Sequence, residues 1–235
     1  MKRFTLTLLM MLTAVTGAFA AEPHSGVQLG RTRLFIEGGA QNVSFDVANW
    51  NRAPILVSTW VEDLKDQPTD AFMTTPSLMQ IMPKRTASIR IEQMSAMPQD
   101  RETVWWLTVR SVPAVKQADS SRAVFGLTQK IKLHYRPKGL KGDTASAAKK
   151  LTWTMAPDGL HVKNSGALSL SLLAVTADDV TVNVNNLSLP FSTTVVPVKA
   201  ADKNKMTNVL QKGKATFTYI DEFGGEKTVP LRFGS

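Results

Sequence analysis

Apolar and polar residues alternate along most of this chain, in short runs separated by turn residues. Val27 to Ile36 is the first run, closed by Glu37-Gly38-Gly39. Val43, Phe45 and Val47 alternate next and stop at Asn49-Trp50-Asn51, and Ile55 to Val61 follows with Trp60 inside it. Ser77 to Met82 and Ala87 to Ile91 are shorter. Met97-Pro98-Gln99-Asp100 reads as a turn, and Thr103 to Val112 carries Trp105 and Trp106 before Pro113 ends it. Successive side chains of a strand point to opposite faces, so a period of two predicts half-buried strands. No helix-period segment of useful length is expected in this half. Trp60, Trp105 and Trp106 are assigned to core packing, as large apolar side chains usually are.

The longest alternating stretch is Ser120 to Pro137, SSRAVFGLTQKIKLHYRP. Ala123, Phe125, Leu127, Ile131, Leu133 and Tyr135 share one parity; Arg122, Thr128, Lys130, Lys132, His134 and Arg136 share the other. At about 3.3 Å per residue such a strand spans on the order of 50 Å, against ~17–20 Å for a common one. It either bridges two sheets or leaves part of itself unpaired, and an unpaired apolar edge is a hazard that most proteins hide. An ordinary core strand would show the same alternation.

After Pro137 the character changes. Lys138 to Lys150 (KGLKGDTASAAKK) is small, polar and basic, and residues 139–150 are expected to be a linker. Strand patterns then resume at Leu151–Met155, Leu160–Lys163, Leu168–Val175, Val180–Val184, Thr193–Val198, Ala215–Ile220 and Lys227–Phe233. Strands with turn signals every ~8–12 residues predict immunoglobulin-like sandwiches. The expected architecture is all-β: two such domains, residues 21–138 and 151–235, joined by a short linker with a cleft between them.

The N-terminus changes the setting. Lys2 and Arg3 precede an apolar run from Phe4 to Gly17, and Ala18-Phe19-Ala20 fits a small-residue cleavage site, so residues 1–20 read as a signal peptide. The apolar run is shorter than the ~18 residues a membrane-spanning helix needs. An exported protein without membrane insertion is the expectation. The formal charge of +9, less the two charges of Lys2 and Arg3, leaves a modest basic excess. Such an excess suits acidic partners or plain solubility. The aromatic-basic clusters that nucleic acid requires are missing, so no nucleic-acid partner is expected. The chain has no cysteine, which excludes disulfide-stapled scaffolds and thiol chemistry.

Catalytic patterns are sparse. His24, His134 and His161 lack metal-ligand spacing, so no metal is expected. Ser146-Ala147-Ala148-Lys149 matches S-x-x-K without its companion motifs. No phosphate-cradling glycine loop and no G-x-S-x-G occurs, so neither a nucleotide nor another cofactor is expected, and the chain does not read as an enzyme.

Several blocks carry a resemblance to a known family. They are Gly30-Arg31-Thr32-Arg33, Asn49 with Trp60-Val61-Glu62, and Leu78 after Thr75-Pro76. The strongest are Pro98-Gln99-Asp100-Arg101-Glu102 through Trp106, then Pro113, and Lys130-Ile131-Lys132-Leu133-His134-Tyr135-Arg136-Pro137. Over Gly26 to Phe233 the chain resembles the PapD-like periplasmic pilus-assembly chaperones, with a weaker match in the second half. The resemblance implies two immunoglobulin-like domains and binding of pilus subunits by donor-strand complementation. It further implies delivery of the subunit to an outer-membrane usher, with the periplasm as the site of action. Arg33 and Lys132 match the family's anchor for a subunit's C-terminal carboxylate; Arg31 shares Arg33's face, and only the motif favours Arg33. Ala123, Phe125, Leu127 and Gln129 match the donated strand. Glu102, Arg136 and Glu222 match an inter-domain salt-bridge network, with Glu222 where the family usually has aspartate. The short segment between Arg110 and Arg122 matches the family's short-loop branch. The alternatives from other classes are an exported immunoglobulin-like structural or adhesive surface protein and a hydrolase on a β scaffold.

Overall fold

The structure is a computed structural model and describes residues 26–114 and 125–234. The first domain holds β1 (Val27–Leu29), β2 (Arg33–Glu37), β3 (Asn42–Asn49), β4 (Ile55–Glu62), β5 (Phe72–Thr75), β6 (Leu78–Ile81), β7 (Arg85–Gln93), β8 (Thr103–Pro113) and β9 (Leu127–Arg136). The second holds α1 (Thr144–Ala148), β10 (Leu151–Ala156), β11 (Gly159–Asn164), β12 (Leu170–Ala177), β13 (Val180–Ser188), β14 (Ser192–Val196), α2 (Ala200–Gln211), β15 (Thr216–Ile220) and β16 (Glu226–Pro230). Each domain is a sandwich of two sheets. The first stacks β1-β3-β7-β5 on β2-β9-β8-β4-β6; the second stacks β10-β11-β14 on β13-β12-β15-β16.

The run from Val27 to Ile36 is two strands in different sheets. β1 pairs antiparallel with β3, whereas β2 pairs parallel with β9, Arg33 lying opposite Lys132. The break falls at Gly30, whose N–H donates to the Asp46 carbonyl at 2.8 Å. Because β2 begins only at Arg33, β9 from Leu127 to Ile131 has no strand on that side among the described residues.

Both cores follow the alternation. Leu34, Ile36, Phe45, Val47, Ile89, Ile91, Leu107 and Leu133 fill the first; Trp153, Leu160, Leu170, Val175 and Phe217 lead the second, with Trp153 and Phe217 in ring contact at 5.2 Å.

Three expectations need correction. The linker is largely structured: Asp143 caps α1, accepting from Ser146 N–H while the Ser146 hydroxyl accepts from Asp143 N–H. Ala147 and Ala148 are buried in the second core, so their small size reflects close packing rather than chain flexibility. The second domain also contains a helix, α2, where only strands were expected. It buries Met206, Val209 and Leu210, an i, i+3, i+4 stripe that the polar residues around them conceal. Finally, β9 spans ten residues, so the regular strand is shorter than the alternation implied.

Candidate functional site

β9 carries the site because its two halves have different neighbours. Ile131, Leu133 and Tyr135 point into the first core and are buried. Leu127 has the same parity but is 48% exposed, and Phe125, just before the strand, is 83% exposed. Gln129 is half-buried, and Ala123 lies outside the described residues, as do residues 1–20 and most of the short segment between Arg110 and Arg122. β8 pairs with β9 as far as Ser111 opposite Leu127. The other backbone edge faces β1 across a groove of about 670 Å³ lined by Val27, Leu29, Arg31, Thr32, Gln129 and Ile131, among others. The apolar row and the free edge therefore coincide.

The opposite face of the same sheet meets the second domain. Arg33, Lys132, Trp106 and Glu62 lie in one row across β2, β9, β8 and β4. Arg33 is 8% exposed, and its Nη1 donates to the Ile220 carbonyl at 3.4 Å, while its Nε is buried without a partner. Lys132 Nζ donates to Ser171 Oγ at 3.1 Å and lies 5.6 Å from the centre of the Trp106 ring. Among the described residues neither cation has a carboxylate within the 4.0 Å of an ion pair. Burial, and then the charge of Arg33, pushes the Lys132 ammonium below its ordinary value; burial lowers Arg33 against the opposing pull of Asp221, Glu222 and Glu102. Two adjacent, partly desolvated cations without a counter-ion favour an anion. Arg31 is exposed and lines the groove instead.

Two residues further along β9 the situation reverses. Glu102 receives Arg136 through Nε and Nη2, both at 2.9 Å, and His134 Nδ1 at 2.9 Å. It also accepts from the Ser169 hydroxyl and from Ser169 N–H at 3.3 Å, across the domain boundary. The Glu102 N–H donates to the Ala167 carbonyl at 2.9 Å. Burial tends to raise the Glu102 carboxyl, but the bonds from His134 and Ser169 and the charge of Arg136 hold it below its usual range. His134 stacks on Phe35 at 4.6 Å and has no partner for Nε2. Burial pushes its imidazole down, Glu102 opposes that, and Arg33 and Lys132 add to the lowering.

The structure joins Glu102 to Arg136 but leaves Glu222 out of that pair. Glu222 accepts from Thr144 N–H at 2.5 Å and Thr144 Oγ1 at 2.6 Å, so its carboxylate is spent on the start of α1. His134 and Ser169 complete the network in its stead. His134 was visible in the basic face of the strand; Ser169 and Ser171 carried no sequence signal. The tryptophans also divide. Trp105 packs edge-on against Phe72 at the core, but Trp60 and Trp106 lie on the inter-domain face of the sheet. Trp60 Nε1 donates to Glu62 at 2.6 Å, and the same carboxylate accepts from Thr108 and Lys130. Alternation alone assigns a residue to a face, not to the buried one. Among the described residues no group of three or more potential ligands could hold a metal, and no helix is long and apolar enough to cross a membrane.

The structure thus combines two sandwiches, an exposed apolar strand end and a cationic pair between the domains. Residues 26–141 match the family described as pili and flagellar-assembly chaperone, PapD N-terminal domain. Residues 146–230 match its pili assembly chaperone PapD, C-terminal domain. The chain belongs to the PapD family of pilus-assembly chaperones. It is 30% identical over 170 residues to the chaperone protein LpfB of Salmonella typhimurium, covering 70% of this chain and 72% of that one. To the chaperone protein FocC of Escherichia coli it is 28% identical over 225 residues, 92% and 95% of the two chains. Among solved structures, that of the Salmonella enterica SafA pilin in complex with the SafB chaperone superposes with a TM-score of 0.75 at 23% identity, over 90% of this chain and 99% of that one. The protein is a pilus-assembly chaperone; an adhesive or structural surface protein is not favoured.

Proposed function

We propose that this chaperone binds pilus subunits in the periplasm by lending them the exposed end of β9, and hands them to an outer-membrane usher. The observation that carries this reading is the run Phe125–Gln129, which keeps apolar side chains in solvent beside an unpaired backbone edge. β-Augmentation uses both: backbone bonds supply affinity, and alternate side chains fill pockets in the partner. Phe125 and Leu127 would each contribute about 1.5–3 kcal/mol if fully buried. Ala123 and Gln129 complete the row, one small and one polar, so two deep pockets in the subunit suffice. Arg33 and Lys132 hold the subunit's terminal carboxylate, each charge-assisted bond adding about 1.5–3 kcal/mol. Glu102, Arg136, His134 and Ser169 keep the two domains at the angle that places this anchor. Exchange of the lent strand for another subunit's extension needs no nucleotide, metal or catalytic step.

The test is co-expression with a subunit from a pilus operon, followed by capture of the chaperone from periplasmic extract. Wild type brings down the subunit in equal amount. Arg33→Ala and Lys132→Ala fold, as read by circular dichroism, yet recover none; wild-type recovery by either variant contradicts the anchor.

A further inference from the structure

Phe223 is 94% exposed, the most exposed of the large apolar side chains in the described structure. It stands at the tip of the turn between β15 and β16, and that turn is braced. Asp221 accepts from Phe223 N–H at 3.0 Å and from Gly225 N–H at 2.7 Å through its side chain. Its backbone N–H donates to the Gly225 carbonyl at 2.8 Å and its carbonyl accepts from Gly224 N–H at 3.2 Å. Gly224 has φ +87°, and a Cβ there would come within 2.8 Å of Thr32 Oγ1. The turn of the second domain is thus laid against Thr32 of the first. Thr32 also lines the groove between β1 and β9, and the next residue is Arg33.

We infer that Phe223 is a second-domain contact for the bound subunit. It covers an apolar side chain in the last two or three residues before the terminal carboxylate. The inference rests on the carboxylate-anchor reading above. A chain end held at Arg33 and Lys132 enters along the free edge of β9, parallel to it, and must pass Thr32 to arrive. The tip of the turn is the next surface it meets. A rigid aromatic costs little conformational entropy on binding, and full exposure leaves its whole ring available. The partner is therefore read from both domains, with the anchor setting the register and Phe223 discriminating the side chain beside it.

The probes are acetylated peptides of alternating apolar and polar residues, about eight long so as to span the edge from Phe125 to Lys132 when extended. Two end in a free carboxylate and differ only in the residue before last, phenylalanine or alanine; a third repeats the first with a C-terminal amide. Binding is measured to wild type and to Phe223→Ala, which keeps the wild-type melting temperature because the ring is exposed. Wild type prefers the phenylalanine peptide by about tenfold. Phe223→Ala loses that preference but still favours carboxylate over amide. An undiminished preference in Phe223→Ala, with carboxylate dependence intact, overturns this inference alone. Equal binding of amide and carboxylate by wild type, or no binding of the carboxylate peptides, overturns the anchor reading and this inference with it.

Discussion

The two ends of β9 obey the same alternation and serve opposite ends. From Leu133 to Arg136 the side chains are met within the chain: Leu133 and Tyr135 enter a closed core, as Ile131 does, and His134 and Arg136 share Glu102. Before it, Phe125 and Leu127 face solvent, and Lys132 beside Arg33 has no carboxylate within ion-pair distance among the described residues. The difference shows that alternation specifies faces, while neighbours decide whether a face is structure or a binding surface. One half is complete within the chain, and the other leaves apolar side chains in solvent.

The sharpest way to break that comparison is to unfasten the closed half. Glu102→Ala leaves Arg136 buried without its carboxylate, and removal of one member of a buried pair typically costs about 3–5 kcal/mol. Urea unfolding should show that loss, together with loosening of the two domains in small-angle scattering. Leu133→Ala tests the apolar side of the same half. A leucine with no exposure should lose about 2–5 kcal/mol on truncation, read from the shift in urea midpoint.

Acid provides a gentler perturbation. His134 has its folded value below its ordinary 6.5, so the unfolded chain takes up a proton first as pH falls. Its contribution is present above about 6.5 and declines as pH drops towards the folded value, by at most about 1.4 kcal/mol per pH unit. The depressed value of Glu102 acts in the same direction at lower pH, below its ordinary 4.5. His134→Gln should flatten the slope between pH 6.5 and 5.5, and an unchanged slope would assign it to another group. The smallest effect on stability belongs to the open half. Phe125→Glu should leave the melt of the free protein within about 0.5 kcal/mol of wild type, as exposed substitutions do, while subunit capture is lost. If that variant unfolds as readily as Leu133→Ala, Phe125 is core and β9 lends nothing.

Strand positions were legible because a period of two survives in any half-buried strand, and most runs, from Val43–Val47 to Ala215–Ile220, match observed strands. The blocks around Glu102 and Lys132 were equally local facts, and they pointed to the family. What the order of residues could not decide is which face each strand would bury. Trp60 and Trp106 look like core residues, but they share the face of the sheet that carries Lys130 and Lys132. Glu222 looks like a partner for Arg136 until Thr144 captures it, and Ser169 looks like nothing until it meets Glu102. These outcomes depend on groups 35 to 78 positions apart in the chain being brought within a hydrogen bond of each other, and no local pattern encodes such distances. Local sequence set the strands, the turns and the spacing of charge along β9. The docking of one sandwich on the other decided which of those charges meet a carboxylate, as Arg136 does, and which do not, as Lys132 does not among the described residues.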